Sequence, residues 1–223
     1  MIGLRCGSLF VYATKGQTAL SRSVREFIIN VKQDRIESKT GRFYADLASE
    51  RLARERPPVL MSFFGPDVAL VPVPTSALTR PNTVWCALTL CKFLQAAGLA
   101  AEVVPMLYRA VAVRKSAGSS ERPSADQHRR SFALEPPLGF GRSRIVLVDD
   151  VVTRGCTILG AALRLREAIP DADINAFALA RVQSMGEVEV ARSPKVEYLS
   201  VAGGTCRRLD EAPDDDSQLS LFA

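Results

Sequence analysis

The 223 residues are 47% hydrophobic and 24% charged, the balance of a globular chain long enough to bury its own core as one domain. No apolar run reaches the roughly 18 residues that a membrane helix needs. The opening MIGLRCGSLFVYATKG also lacks a basic stretch leading into a long apolar one, so the expectation is a cytoplasmic protein with no membrane partner. The net charge of +5 hides an asymmetry: residues 210–223 hold five acids and no Lys or Arg, which leaves 29 bases against 19 acids, a net +10, on residues 1–209. A basic body suits an anionic ligand or nucleic acid, DNA included, and equally an ordinary solubilising surface; charge alone does not decide.

In chain order, residues 9–12 read as a short strand. Val24, Phe27, Ile28 and Val31 then fall at helical spacing on one face. A second helix is expected over about 41–55, with Tyr44, Leu47, Ala48 and Leu52 on one side and Pro57-Pro58 closing it. Residues 68–73 form a continuous apolar strand, 83–97 an apolar helix ending near Gly98, and 101–105 another strand. Residues 109–143 read as loop. A strand at 145–148, a helix at 156–168 and a strand at 174–180 follow, and 187–205 adds one or two peripheral strands. Strands without polar alternation, separated by helices, indicate an α/β fold with an open, mostly parallel sheet, helices on both faces and peripheral N- and C-terminal elements. Residues 1–209 make one domain, and 210–223 an acidic tail expected to be disordered.

The five cysteines, Cys6, Cys86, Cys91, Cys156 and Cys206, are odd in number and include no CxxC pair. That pattern argues against a disulfide framework and a zinc ribbon and favours reduced, structural thiols. His128, the only histidine, reads as a surface or hinge residue, with a catalytic role at a loop edge as the alternative. Trp85, Leu88 and Leu90 read as core.

Chemistry concentrates in the run RIVLVDDVVTRGCT at 144–157. An apolar strand delivers two adjacent carboxylates at its C-terminal end, and a short Thr/Gly loop enters a helix. Ligands of open α/β sheets bind past the carboxyl ends of such strands. Backbone N–H groups of 153–157, at the positive end of a helix, suit a phosphate, with the Thr153 and Thr157 hydroxyls beside them. Gly155 lets the backbone approach closely. Asp149 and Asp150 suit vicinal ribose hydroxyls, directly or through Mg²⁺. The bland reading, that the two acids cap a loop, leaves the rest of the run unexplained.

This run resembles the phosphoribosyl-pyrophosphate (PRPP) signature of type I phosphoribosyltransferases, and the chain over residues 9–182 is similar to the ComF-like branch of that family. The similarity rests on a Tyr-plus-helix opening ending at Lys32, the Val71-Pro72-Val73-Pro74 strand, Arg80 with Asn82, a basic loop, and the signature. The resemblance implies that Asp149 and Asp150 hold the ribose 2′- and 3′-hydroxyls and, indirectly, the Mg²⁺ carried by PRPP. It implies further that Thr153, Arg154, Gly155, Cys156 and Thr157 form the 5′-phosphate loop, and that Pro74, Thr75 and Ser76 form the pyrophosphate loop. The stretch 110–131, with Arg114, Lys115 and Arg122, would be the loop that closes over PRPP, Arg114 and Lys115 acting catalytically on the departing pyrophosphate. The chain departs from the family pattern in Arg154, which replaces a small hydroxyl residue, in the shortened Arg80-Pro81-Asn82, and in lacking the N-terminal zinc cysteines of the branch. Thr153 stands where 6-oxopurine enzymes carry an aspartate base, so a hypoxanthine or guanine acceptor is disfavoured. The implied activity is transfer of ribose 5-phosphate with loss of pyrophosphate; the alternative is a non-catalytic PRPP or nucleotide sensor or adaptor in DNA uptake, replication or repair. The acceptor and the oligomeric state stay open.

The chain ends in Gln218-Leu219-Ser220-Leu221-Phe222 behind Asp214-Asp215-Asp216. This pentapeptide resembles the one by which bacterial DNA polymerases and repair proteins dock on the replication sliding clamp. Leu221 and Phe222 would fill an apolar pocket, Leu219 cover its rim and Gln218 bond at an adjacent subsite. The alternative is that these apolar residues fold back on the body or make an oligomer contact.

Overall fold

The computed structural model describes residues 3–78, 84–113, 123–138, 140–141, 143–183, 186–202 and 204–212. Eleven strands and six helices are formed among them: β1 (Leu4–Ala13), α1 (Ala19–Lys32), β2 (Ile36–Glu37), β3 (Arg42–Phe43), α2 (Tyr44–Glu55), α3 (Pro58–Met61), β4 (Gly65–Pro72), α4 (Cys86–Ala96), β5 (Ala100–Val103), β6 (Leu107–Arg109), α5 (Ala125–Ser131), β7 (Phe132–Leu134), β8 (Arg144–Val152), α6 (Cys156–Ala168), β9 (Asp173–Gln183), β10 (Arg192–Ala202) and β11 (Thr205–Leu209). No helix is long and apolar enough to cross a membrane among the described residues.

A seven-stranded sheet runs in the order β11-β10-β1-β9-β8-β4-β5. Its centre is parallel, with β1 on β9, β9 on β8, β8 on β4 and β4 on β5, while β10 and β11 add an antiparallel edge. Strand residues alternate between two buried layers. Leu9, Leu70, Val146, Val148, Phe177 and Leu179 face one core with α1, α2 and α4. Leu4, Ala69, Val71, Ile145, Leu147 and Ala176 face the other, with α6 and Phe132. This is the expected α/β sheet covered on both faces, and it explains why its strands read as unbroken apolar runs.

Local sequence sets the helices that matter to the site. Thr18 caps α1 by accepting from the Ser21 N–H at 3.2 Å, and Val24, Ile28 and Val31 bury its inner face. The second helix starts at Tyr44 rather than Gly41, because Arg42–Phe43 pairs with Ile36–Glu37 first. The third apolar helix begins at Cys86.

The reading of 109–143 as loop is corrected. β6 pairs with β7, and between them lies α5, started by a capping box in which Ser124 and Gln127 bond reciprocally to each other's backbone N–H at 3.2 and 2.8 Å. α5 lies hard against α6: a Cβ at Gly160 would stand 2.5 Å from the His128 Cβ and 2.7 Å from the Ala125 carbonyl. The peripheral region expected at 187–205 holds two strands, β10 and, at the sheet's edge, β11, which reaches Leu209.

Candidate functional site

The parallel centre of the sheet changes direction between β4 and β8. From β4 the chain runs through α4 to β5 on one side; from β8 it runs through α6 to β9 on the other. The loops after two such neighbouring strands diverge and leave a crevice at their carboxyl ends, where open α/β sheets bind ligands. Pro72 lies in register with Val148 and the Val73 N–H donates to the Val148 carbonyl at 2.9 Å, so residues 74–76 start beside Asp149.

Asp149 and Asp150 belong to the last turns of the ladder, since β8 continues to Val152 against β9. Both are half-buried. Asp149 Oδ1 accepts from the Asp150 N–H and Asp150 Oδ1 from the Val151 N–H, each at 2.8 Å. Lys32 Nζ stands 3.5 Å from Asp150 Oδ2, so the last residue of α1 reaches the acid pair. Burial works against the Lys32 charge, yet the two carboxylates outweigh it and hold its pKa above the ordinary lysine value. Burial, then the neighbouring charge of Asp150, raises Asp149 well above the ordinary carboxylate range. A pair so placed gains from any cation or hydroxyl donor brought to it.

Thr153 and Arg154 are exposed, Gly155 is buried, and Cys156 and Thr157 are half-buried at the start of α6. With Asp149, Val152 and Pro123 they line one shallow cleft. Gly155 is the N-cap of α6 with φ +85°, and a Cβ there would meet both Leu199 methyls at 2.8 Å, so glycine is required for conformation and for space. Across the crevice, Pro74 is buried, Ser76 half-buried and Thr75 exposed. The Trp85 indole N–H donates to the Val73 carbonyl at 2.9 Å, anchoring the stem of that loop; Trp85 is therefore half-buried with a polar duty, while Leu90 is core as expected.

Sequence reasoning missed Arg109. It is 1% exposed, donates from Nε to the Thr75 carbonyl at 2.8 Å and from NH2 to the Pro74 carbonyl at 3.4 Å, bonds the Ser131 hydroxyl, and stacks 4.0 Å from the Phe132 ring centre. Burial lowers its pKa to about 10 despite Asp149. The surface reading of His128 is corrected too: it is 2% exposed. Its Nδ1 lies 3.4 Å from Arg109 and its Nε2 3.4 Å from Thr157 Oγ1, and burial followed by the Arg109 charge brings its pKa down to about 4. One chain of contacts, buried at Arg109 and His128, thus joins residues 74–75 to Thr157. Where the chain leaves this layer, the Val113 N–H donates to the Ser76 carbonyl at 3.1 Å.

The expectation of wholly reduced cysteines is also corrected. Cys156 and Cys206 form a disulfide between the first residue of α6 and β11, with Cα atoms 5.5 Å apart. Cys6, Cys86 and Cys91 are buried free thiols, as structural cysteines should be. Arg80 and Asn82, Arg114, Lys115 and Arg122, and Gln218, Leu219, Leu221 and Phe222 lie outside the described residues.

No group of three or more metal-ligating His, Cys, Asp or Glu side chains gathers among the described residues. Two adjacent carboxylates fit a different arrangement, Mg²⁺ delivered on a polyphosphate and completed by phosphate oxygens and water. No protein-family model matches the chain, and no curated protein matches it significantly.

Proposed function

We propose that the protein binds PRPP, or a related phosphorylated ribonucleotide, with Mg²⁺ and transfers its ribose 5-phosphate to an acceptor with release of pyrophosphate. The observation that carries this reading is the convergence of two loops at the carboxyl ends of neighbouring strands. Residues 74–76 and 153–157 flank the acid pair Asp149–Asp150 at the point where the sheet changes direction. In this reading the amides and hydroxyls opening α6 take the 5′-phosphate and the two carboxylates take the ribose hydroxyls. The loop at 74–76 takes the pyrophosphate, whose Mg²⁺ would draw Asp149 towards its ionised form. Arg114 and Lys115 would neutralise the departing pyrophosphate. The Gln218–Phe222 peptide would dock the protein on a bacterial sliding clamp and so place it in DNA metabolism.

A second reading, a PRPP or nucleotide sensor without turnover, is favoured by one feature: Cys156 is tethered to β11, and a fixed phosphate loop serves binding without any further motion. Incubation with PRPP, Mg²⁺ and a panel of acceptor bases separates the two. Pyrophosphate release that is lost in Asp150→Asn supports the transferase; saturable PRPP binding without release by any acceptor supports the sensor; absence of both rejects the ribose-phosphate reading. Clamp docking is read separately, by titrating full-length protein and its Leu221→Ala/Phe222→Ala variant against purified clamp.

A further inference from the structure

A groove opens between α1 and α2, bordered by Ala191 and Arg192. It encloses about 440 Å³ over an apolar floor of Phe10, Leu20, Phe27 and Leu47. Leu20 on its lip is 38% exposed, and Phe27 packs on both Phe10 and Tyr44, at 5.4 and 5.6 Å between ring centres, which keeps the floor in place. Arg51, Arg54 and Arg192 stand around it. Arg51 and Arg192 share one carboxylate, Glu55, and Glu50, which also lines the groove, is engaged by Arg42 at 2.7 Å. Arg54 has no ion-pair partner among the described residues. The rim is therefore short of negative charge.

The chain's own C-terminal sequence carries the negative charge that the rim lacks. β11 runs antiparallel to β10 with Leu209 opposite Tyr198, and Asp210 then meets Lys195 Nζ at 2.6 Å. β11 thus points along β10 towards Arg192, which lies three strand residues or about 10 Å beyond Lys195 and lines the groove. The remaining residues 213–223 can span up to roughly 36 Å, and they carry Asp214, Asp215 and Asp216 ahead of Leu219, Leu221 and Phe222.

We propose that the C-terminal segment 213–223 docks in the α1–α2 groove of its own chain, with its aspartates against Arg51, Arg54 and Arg192 and its leucines and phenylalanine on the apolar floor. Tethering gives such a peptide an effective concentration on the order of millimolar, so a weak intrinsic affinity suffices, and an outside partner of the peptide must compete with the groove.

Hydrogen exchange of the full-length protein over residues 19–32 and 44–55 tests it. Leu221→Ala/Phe222→Ala is expected to speed exchange on the exposed turns of both helices by several-fold. Arg54→Glu should do so partly, and a synthetic 213–223 peptide at millimolar concentration should restore protection to the Leu221→Ala/Phe222→Ala protein. Comparable exchange in all three proteins would overturn the proposal. Protection that grows with protein concentration would overturn it as well, by assigning the groove to a second copy.

Discussion

The guanidinium of Arg109 lies 3.4 Å from Nδ1 of His128, and both side chains are buried to within 2% of complete. Two groups that repel when both are charged are held together because each does a separate job. Arg109 holds the carbonyls of Thr75 and Pro74, and a neutral His128 reaches Thr157. Replacing Arg109 by Met removes the donor to both carbonyls and leaves that of the buried Pro74 unpartnered, which costs about 1–3 kcal/mol. The expected outcome is a clear drop in the melting temperature together with weakened binding of phosphorylated ligands, and Arg109→Lys should recover only part of it because one ammonium cannot reproduce the fork. A melting temperature equal to the parent's would remove Arg109 from this role.

Stability should depend on pH through His128. Its folded pKa of about 4 lies below the ordinary value of 6.5, so the unfolded chain takes up the proton first as pH falls. Stability due to the neutral, buried ring is thus fully present above about pH 6.5 and is lost as pH falls from there towards 4, by on the order of 3 kcal/mol. Denaturant titrations of the protein and of His128→Gln across this window isolate it: the variant should show the shallower loss, because the carboxylates are common to both.

Gly155→Ala should be disproportionately harmful. The new methyl forces a left-handed residue, at a cost of about 1–2 kcal/mol, and meets the Leu199 methyls at 2.8 Å. The start of α6 must shift, so phosphate affinity should fall further than stability. Inorganic phosphate or PRPP binding measured beside thermal denaturation separates the two losses.

Reduction should loosen the same loop. The Cys156–Cys206 bond closes a loop of 50 residues, and chain-entropy reasoning assigns such a closure about 4 kcal/mol. Dithiothreitol or Cys206→Ser should lower the melting temperature, and the reductant should have no further effect on the variant.

How far the sequence could be read follows from where the determining interactions lie. The strand–Asp-Asp–loop–helix run was legible because an apolar strand, a turn glycine and an apolar helix are each local, and α6 occupies 156–168 as its pattern indicates. The parallel sheet was legible because burial on both faces leaves no polar alternation. α5 was not found: its seven residues offer little periodicity, although Ser124 and Gln127 at capping-box spacing were a usable signal. Nothing local marks Arg109 or His128 as buried, since their partners are two carbonyls and two hydroxyls contributed by distant segments. Nor could the Cys156–Cys206 pair be chosen among five cysteines, as connectivity is a property of the folded chain.

In the proposed function Asp149 and Asp150, beside the loops at 74–76 and 153–157, hold a phosphorylated ribose. Its most direct test is a calorimetric titration of the full-length protein with PRPP in the presence of Mg²⁺, run beside Asp150→Asn. Saturable binding is expected, weakened about tenfold or more, ~1.4 kcal/mol, in the variant while the fold is retained. Absence of binding by the parent protein, or equal affinity in Asp150→Asn, would contradict it.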